Sequence, residues 1–194
     1  SLPAERPDRS PSFFSGFGGN PSSTHAWGRA LRAKMNEARE GVAASLGLPP
    51  SRADEVLFVS SGTEANQLPL QLLLQKARVW AVGAADHPSV RAGMAPFQAR
   101  GGSVVQYHAD IPPGADVLSL LWANNETGAV LDLPAQIRLA RERGAKAIHV
   151  DAAQAWGKVP VNLSACDADV VSFSGHKIGA LAGSGVFWVN PRVS

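Results

Sequence analysis

The sequence contains 194 residues, with a formal net charge of +2 and a hydrophobic fraction of 45%, which is enough for a substantial core. Its 18 basic residues are scattered, which argues against nucleic-acid binding, and no apolar run approaches the roughly 18 residues of a membrane span. The single cysteine, Cys166, excludes an internal disulfide and indicates a reducing compartment, so we expect a cytoplasmic protein.

The N-terminal residues 1–16 are rich in Pro, Ser and charge, which predicts a loosely held arm before one domain over 17–194. Apolar residues at helical spacing predict a helix over 25–46. Short apolar strands then alternate with helical segments. The strands are predicted at 56–59, 78–82, 103–107, 117–122, 146–150, 169–173 and 185–189, and the helices at 63–76, 87–100 and 133–143.

This alternation predicts an α/β fold in which a mostly parallel sheet is covered by helices on both faces. Pro69 is expected to kink the helix at 63–76 or to shorten its start. Polar clusters follow five of the predicted strands, at the edge where such sheets bind ligands. The clusters are residues 60–64, 86–87, 124–126, 151 and 174–177.

Three of these clusters allow two interpretations each. The segment 60–63, which contains Gly62 and Thr63, lies between a strand and a helix and either binds phosphate through backbone N–H groups or only caps the helix. His87 either stacks on a planar cofactor or is an ordinary surface residue. Asn125 either donates a hydrogen bond to a cofactor oxygen or belongs to an Asn-rich turn.

A lysine just past an apolar strand and an acid at the end of an earlier strand give the strongest signal. Pyridoxal phosphate (PLP) needs this pair, because Lys177 would form the Schiff base and Asp151 would keep the pyridinium nitrogen protonated. The alternatives without a cofactor are that Lys177 is an ordinary exposed lysine and that Asp151 caps a helix. Apolar sequence on both sides of Lys177 favours its burial, which makes an amine a better nucleophile. Ser174 and His176 are expected to direct donors at the phosphate, and no histidine has the spacing of a metal ligand.

Taken together, these motifs resemble the cysteine desulfurases of the class V aminotransferase group. The matching stretches, in the family's order, are residues 19–25, 61–66, 124–128, 149–154 and 174–177. The resemblance implies a fold-type I PLP enzyme that converts cysteine to alanine and passes the sulfur, as a persulfide, to iron–sulfur cluster or thio-cofactor assembly. It also implies a homodimer, a cysteine substrate and a sulfur-acceptor protein.

The resemblance implies a role for each matching residue. Lys177 corresponds to the Schiff-base lysine, Asp151 to the partner of the ring nitrogen, and His87 to the residue that stacks on the ring and assists proton transfer. The other implied cofactor-binding positions are Gly62, Thr63, Asn125, Gln154, Ser174 and His176, and the implied substrate position is Asn20.

The sequence covers about half of a typical member of this family. The family's other half supplies a small domain, an arginine for the substrate carboxylate and a sulfur-accepting cysteine loop, which we expect to be absent here or supplied by a second chain. Cys166 does not match that cysteine and is expected to be a small buried residue. Two alternatives stay open: a catalytically incomplete PLP-binding or scaffold protein that dimerises or docks on a full-length desulfurase, and a selenocysteine lyase-like enzyme.

Overall fold

The computed structural model describes residues 20–193, so the predicted N-terminal arm lies outside the described residues. Seven strands of this range form one sheet, and α-helices flank it. The strands are β1 (Val56–Val59), β2 (Val79–Gly83), β3 (Ser103–Tyr107), β4 (Val117–Leu121), β5 (Ala147–Asp151), β6 (Val170–Ser174) and β7 (Gly185–Val189). The helices are α1 (Ala26–Ser45), α2 (Gly62–Leu74), α3 (Pro88–Arg91), α4 (Met94–Ala99) and α5 (Leu133–Glu142).

The sheet has the strand order β1-β7-β6-β5-β4-β2-β3. β7 runs antiparallel to both of its neighbours, β1 and β6, and the other neighbouring pairs are parallel. β6 is buried along its whole length, as expected for a strand that has helices on both faces. The predicted α/β fold with a mostly parallel sheet is therefore confirmed.

The two faces of the sheet differ in chemistry. Along β5, Ile148 and Val150 join the large apolar cluster that includes residues of α1 and α5. Because side chains alternate between the faces of a strand, His149 and Asp151 point to the other face. That face carries further buried polar side chains from the neighbouring strands, and α2 packs on it. The ends of these strands thus bring polar groups to the N-terminal part of α2.

Two predicted helical segments contain a proline. The segment 87–100, predicted to be mostly helical, contains two helices, α3 and α4. Pro96 explains the break, because its nitrogen cannot donate the hydrogen bond that a continuous helix would require there. Pro69 lies inside α2 and does not shorten its start, since the helix begins at Gly62.

Candidate functional site

A cavity of about 650 Å³ lies at the carboxyl ends of the central strands. Residues from all five predicted polar clusters line it. The predicted site residues among them are Gly62, Thr63, His87, Asn125, Asp151, Gln154, Ser174, His176 and Lys177. Asn20 is not in this lining, and its side-chain oxygen accepts a hydrogen bond from the Ser22 N–H at 2.9 Å. Its role in substrate binding stays a prediction.

The N-terminus of α2 opens into the cavity. Ser61 caps the helix by accepting from the Glu64 N–H at 3.1 Å, and the Glu64 carboxylate accepts in return from the Ser60 N–H at 2.7 Å. Ser61 is therefore the N-cap of α2. The N–H groups of Gly62 and Thr63 still have no acceptor within the helix, so the phosphate interpretation is compatible with the cap.

Asp151 ends β5 at the floor of the cavity, with only 2% of its surface exposed. One carboxylate oxygen accepts from the Ala153 N–H at 3.0 Å, and the other accepts from the Asn66 amide at 2.8 Å. Burial raises the pKa of this carboxyl, and these two donors and the nearby His87 offset part of the rise. A cation placed against the carboxylate would relieve this unfavourable burial of charge.

Lys177 lies in a short 3-10 helix, Gly175–Ile178, directly after β6. Its side chain lines the cavity but is exposed, so the expectation that its apolar flanks bury it is wrong. Ser174 and Gly175 before it are buried, and the 3-10 helix places Lys177 at the surface of the cavity. Ser174 and His176 bond each other, with 3.0 Å between the hydroxyl oxygen and Nδ1.

Gln154 and Asn125 connect two loops at the cavity mouth. The Gln154 amide donates to the Asn125 side-chain oxygen at 3.2 Å, across the segments that follow β5 and β4. The Gln154 oxygen also accepts a hydrogen bond from Lys158. The two amides therefore form one polar edge of the site.

His87 precedes α3 and caps it, because its Nδ1 accepts from the Ser89 N–H at 3.1 Å. The Ser89 hydroxyl oxygen lies 2.7 Å from the same nitrogen. The ring is exposed to the cavity and not packed in the core. This placement agrees with a residue available to a planar ligand.

Sequence reasoning assigned no role to three buried polar residues of this cavity, which are Asn66, Asp86 and Ser89. Helical spacing was the available signal for Asn66, because it lies one turn after Thr63 on α2. Burial raises the pKa of Asp86 to about 7, a hydrogen bond from the Gly83 N–H opposes the rise, and the nearby Asp151 adds to it. The cavity therefore contains two buried carboxyl groups.

Residues 20–193 offer neither a metal cluster nor a membrane helix. No group of three or more His, Cys, Asp or Glu side chains in this range is arranged to hold a metal ion. No helix of the same range has the length and apolar character needed to cross a membrane. Cys166 is half-buried, and burial raises the pKa of its thiol.

Comparison with known proteins agrees with this geometry. Residues 2–194 match the family described as Aminotransferase class-V. A cysteine desulfurase from Nostoc sp. is 33% identical over 197 residues, covering 93% of this chain and 48% of its own. A solved NifS-like protein superposes with a TM-score of 0.83 at 27% identity, covering 92% of this chain and 53% of its own. The solved structure of SspA in complex with cysteine gives a TM-score of 0.80 at 25% identity, with coverages of 92% and 55%.

The chain spans about half the length of the cysteine desulfurases that it matches. The matches cover about nine-tenths of this chain.

Proposed function

Because this chain belongs to the class-V aminotransferase family, we propose that residues 17–194 form the PLP-binding domain of a cysteine desulfurase-like enzyme. The observation that carries the proposal is the pairing of a buried carboxylate with an exposed amine in one cavity. Both residues line it, with Asp151 at the end of β5 and Lys177 just after the neighbouring strand β6. PLP, when bound, supplies an aldehyde for the lysine and a ring that accepts electrons.

The residues present fit this cofactor in size and chemistry. A cavity of about 650 Å³ is within the range of small-molecule sites. The Asp151 carboxylate, whose pKa is raised by burial, suits a protonated ring nitrogen as its partner. In this proposal Asp151 holds the proton on the ring nitrogen, and Lys177 is the covalent attachment point.

We assign the phosphate group to the N-terminus of α2. The Gly62 and Thr63 N–H groups and the helix dipole favour an anion there. Ser174 and His176 lie beside them in the cavity and add hydrogen-bonding groups. Gly62 is suited to this position, since the absence of a side chain lets Ser174 pack against the start of the helix.

We assign the contacts with the PLP ring to His87, Gln154 and Asn125. His87 is assigned to stack on the ring face and to move a proton at Nε2, the nitrogen not used by the helix cap. Gln154 and Asn125 are assigned to the polar edge of the ring, where their amides already contact each other. Asn20 is kept as a proposed substrate contact.

For the whole protein, we propose conversion of cysteine to alanine with transfer of the sulfur to an acceptor protein, in a homodimer or in complex with a second chain. The structural similarity to SspA, which was solved in complex with cysteine, supports this substrate class. The alternative is a PLP-binding protein that acts as a scaffold without turnover. Alanine production from cysteine by the isolated chain would exclude that alternative.

The proposal is tested by adding PLP to the purified chain and recording the visible absorbance of lysine-bound cofactor. We expect a protein-dependent band that survives gel filtration and is lost in Lys177→Ala. Lys76→Ala is the matched control, because this exposed lysine lies outside the cavity lining. A band that persists in Lys177→Ala, or no band in the wild type, would contradict the assignment.

A further inference from the structure

Four side chains of the cavity lining form a continuous hydrogen-bonded series. The Asn66 amide nitrogen lies 2.8 Å from the Asp151 carboxylate and 2.9 Å from the Ser89 hydroxyl oxygen. That hydroxyl oxygen lies 2.7 Å from Nδ1 of His87. Asn66 and Ser89 are 3% and 6% exposed, so water does not replace these contacts. The series connects the buried acid to the exposed imidazole.

The direction of every bond in the series follows from one backbone group. The Ser89 N–H can only donate, so Nδ1 of His87 must accept and carries no proton in the neutral ring. The Ser89 hydroxyl contacts the same nitrogen and must therefore donate to it. Its oxygen is then left as an acceptor for Asn66.

The amide of Asn66 completes the series without conflict. Its nitrogen carries two hydrogens, one for Ser89 and one for the Asp151 carboxylate. The reversed amide would place its oxygen against the carboxylate and leave its nitrogen without an acceptor. The amide orientation is therefore determined, although the Asn66 oxygen has no hydrogen-bond partner among residues 20–193.

We propose that Asn66 and Ser89 are positioning residues that hold His87 as the tautomer protonated at Nε2, with Asp151 as the anchor of the series. Nε2 has no partner among the described residues, so its N–H is available to a ligand in the cavity. His87 thus presents a proton donor, not an acceptor, before any ligand binds. The catalytic meaning of this tautomer rests on the proposed function, whereas the tautomer itself does not.

Nuclear magnetic resonance of the ligand-free chain tests the tautomer directly. In protein labelled with ¹⁵N at histidine, the two ring nitrogens differ in shift according to which one carries the proton. The His87 signals are assigned by their loss in His87→Asn. At a pH where the ring is neutral, we expect a protonated Nε2 and an unprotonated Nδ1. A protonated Nδ1 would overturn the proposal.

Variants separate positioning from a purely structural role. Ser89→Ala removes the hydroxyl donor and leaves only the backbone N–H at Nδ1. The two nitrogen shifts are therefore expected to move part of the way toward each other, as the ring samples the other tautomer more often. Asn66→Ala is expected to act in the same direction, and Ser89→Thr, which keeps a hydroxyl, is expected to restore the wild-type shifts. Unchanged His87 shifts in Ser89→Ala and Asn66→Ala would contradict the proposal.

Ser119→Ala serves as the matched control. It removes a buried hydroxyl that bonds Trp80 and takes no part in the series, so His87 is expected to keep its shifts. All these readouts use the protein without cofactor. Failure of PLP to bind would therefore count against the proposed function while leaving the His87 tautomer as a separate result.

Discussion

Gly62 and Ser174 are packed so closely that a methyl group at position 62 would lie 2.6 Å from the Ser174 hydroxyl oxygen and 2.7 Å from its Cβ. The contact joins the start of α2 to the end of β6. These are the two elements to which we assign the phosphate group.

Gly62→Ala is therefore expected to lower the free energy of unfolding by about 1–3 kcal/mol, the usual cost of overpacking, and to weaken PLP binding. Urea denaturation and a cofactor titration measure the two effects. Gly41→Ala is the control, because no atom lies within 4 Å of its added Cβ. Because alanine is a better helix former than glycine, Gly41→Ala should raise the free energy of unfolding by up to about 1 kcal/mol. Equal behaviour of the two variants would contradict the packing account.

The raised pKa of Asp86 predicts that the protein loses stability as the pH increases. Burial raises its pKa in the folded state to about 7 from an ordinary value of 3.8. The folded state therefore holds a proton that the unfolded state releases, so this stabilisation is present at low pH and is lost as the pH rises toward and through 7. Asp86→Asn keeps the neutral form at every pH. The free energy of unfolding of this variant, measured relative to that of wild type, should therefore increase by about 3 kcal/mol from pH 5 to pH 8.

Urea denaturation at these two pH values checks the Asp86 prediction. Asp110→Asn, at an exposed acid, should show no comparable gain. A constant difference between Asp86→Asn and wild type at both pH values would exclude a raised pKa at Asp86.

His149 predicts the opposite pH dependence. It is fully buried, its Nε2 contacts the Ser172 hydroxyl at 3.0 Å, and burial lowers its pKa to about 3 from 6.5. The unfolded state binds a proton below pH 6.5 and the folded state does not, so stability is lost as the pH falls from 6.5 toward 3. Between pH 7 and pH 5 this loss should amount to about 2 kcal/mol.

His149→Gln removes this titration. Its free energy of unfolding should therefore fall by about 2 kcal/mol less than that of wild type between pH 7 and pH 5, even if the variant is less stable at pH 7. The comparison is made by denaturation at both pH values. His108→Gln, at an exposed histidine, should keep the wild-type pH dependence. Undiminished acid sensitivity in His149→Gln would show that another group is responsible.

The strands and the location of the site were predictable because both follow from short-range patterns. Apolar runs predicted all seven strands, and polar residues at their ends predicted the edge where the cavity lies. Asp151 and Lys177 were found in this way, since a charged residue at the end of a buried strand, or just after one, is a strong local signal.

The remaining features depend on contacts between segments distant in sequence. The Asn66 amide donates to Asp151, which lies 85 residues later, and no local sequence pattern predicts that bond. The contact between His87 and Ser89 was not predicted, because the helix was expected to include His87, whereas His87 is the N-cap of α3. The exposure of Lys177 was missed for a related reason. Flanking apolar residues suggested burial, but a 3-10 turn directs the side chain into the cavity.

The central claim is that Lys177 and Asp151 hold one PLP molecule between them. A crystal structure of the chain grown with PLP tests it most directly. We expect continuous density from the Lys177 side chain to the cofactor, and the Asp151 carboxylate within hydrogen-bond distance of the ring nitrogen. Cofactor bound elsewhere, or a ring nitrogen facing away from Asp151, would contradict the claim.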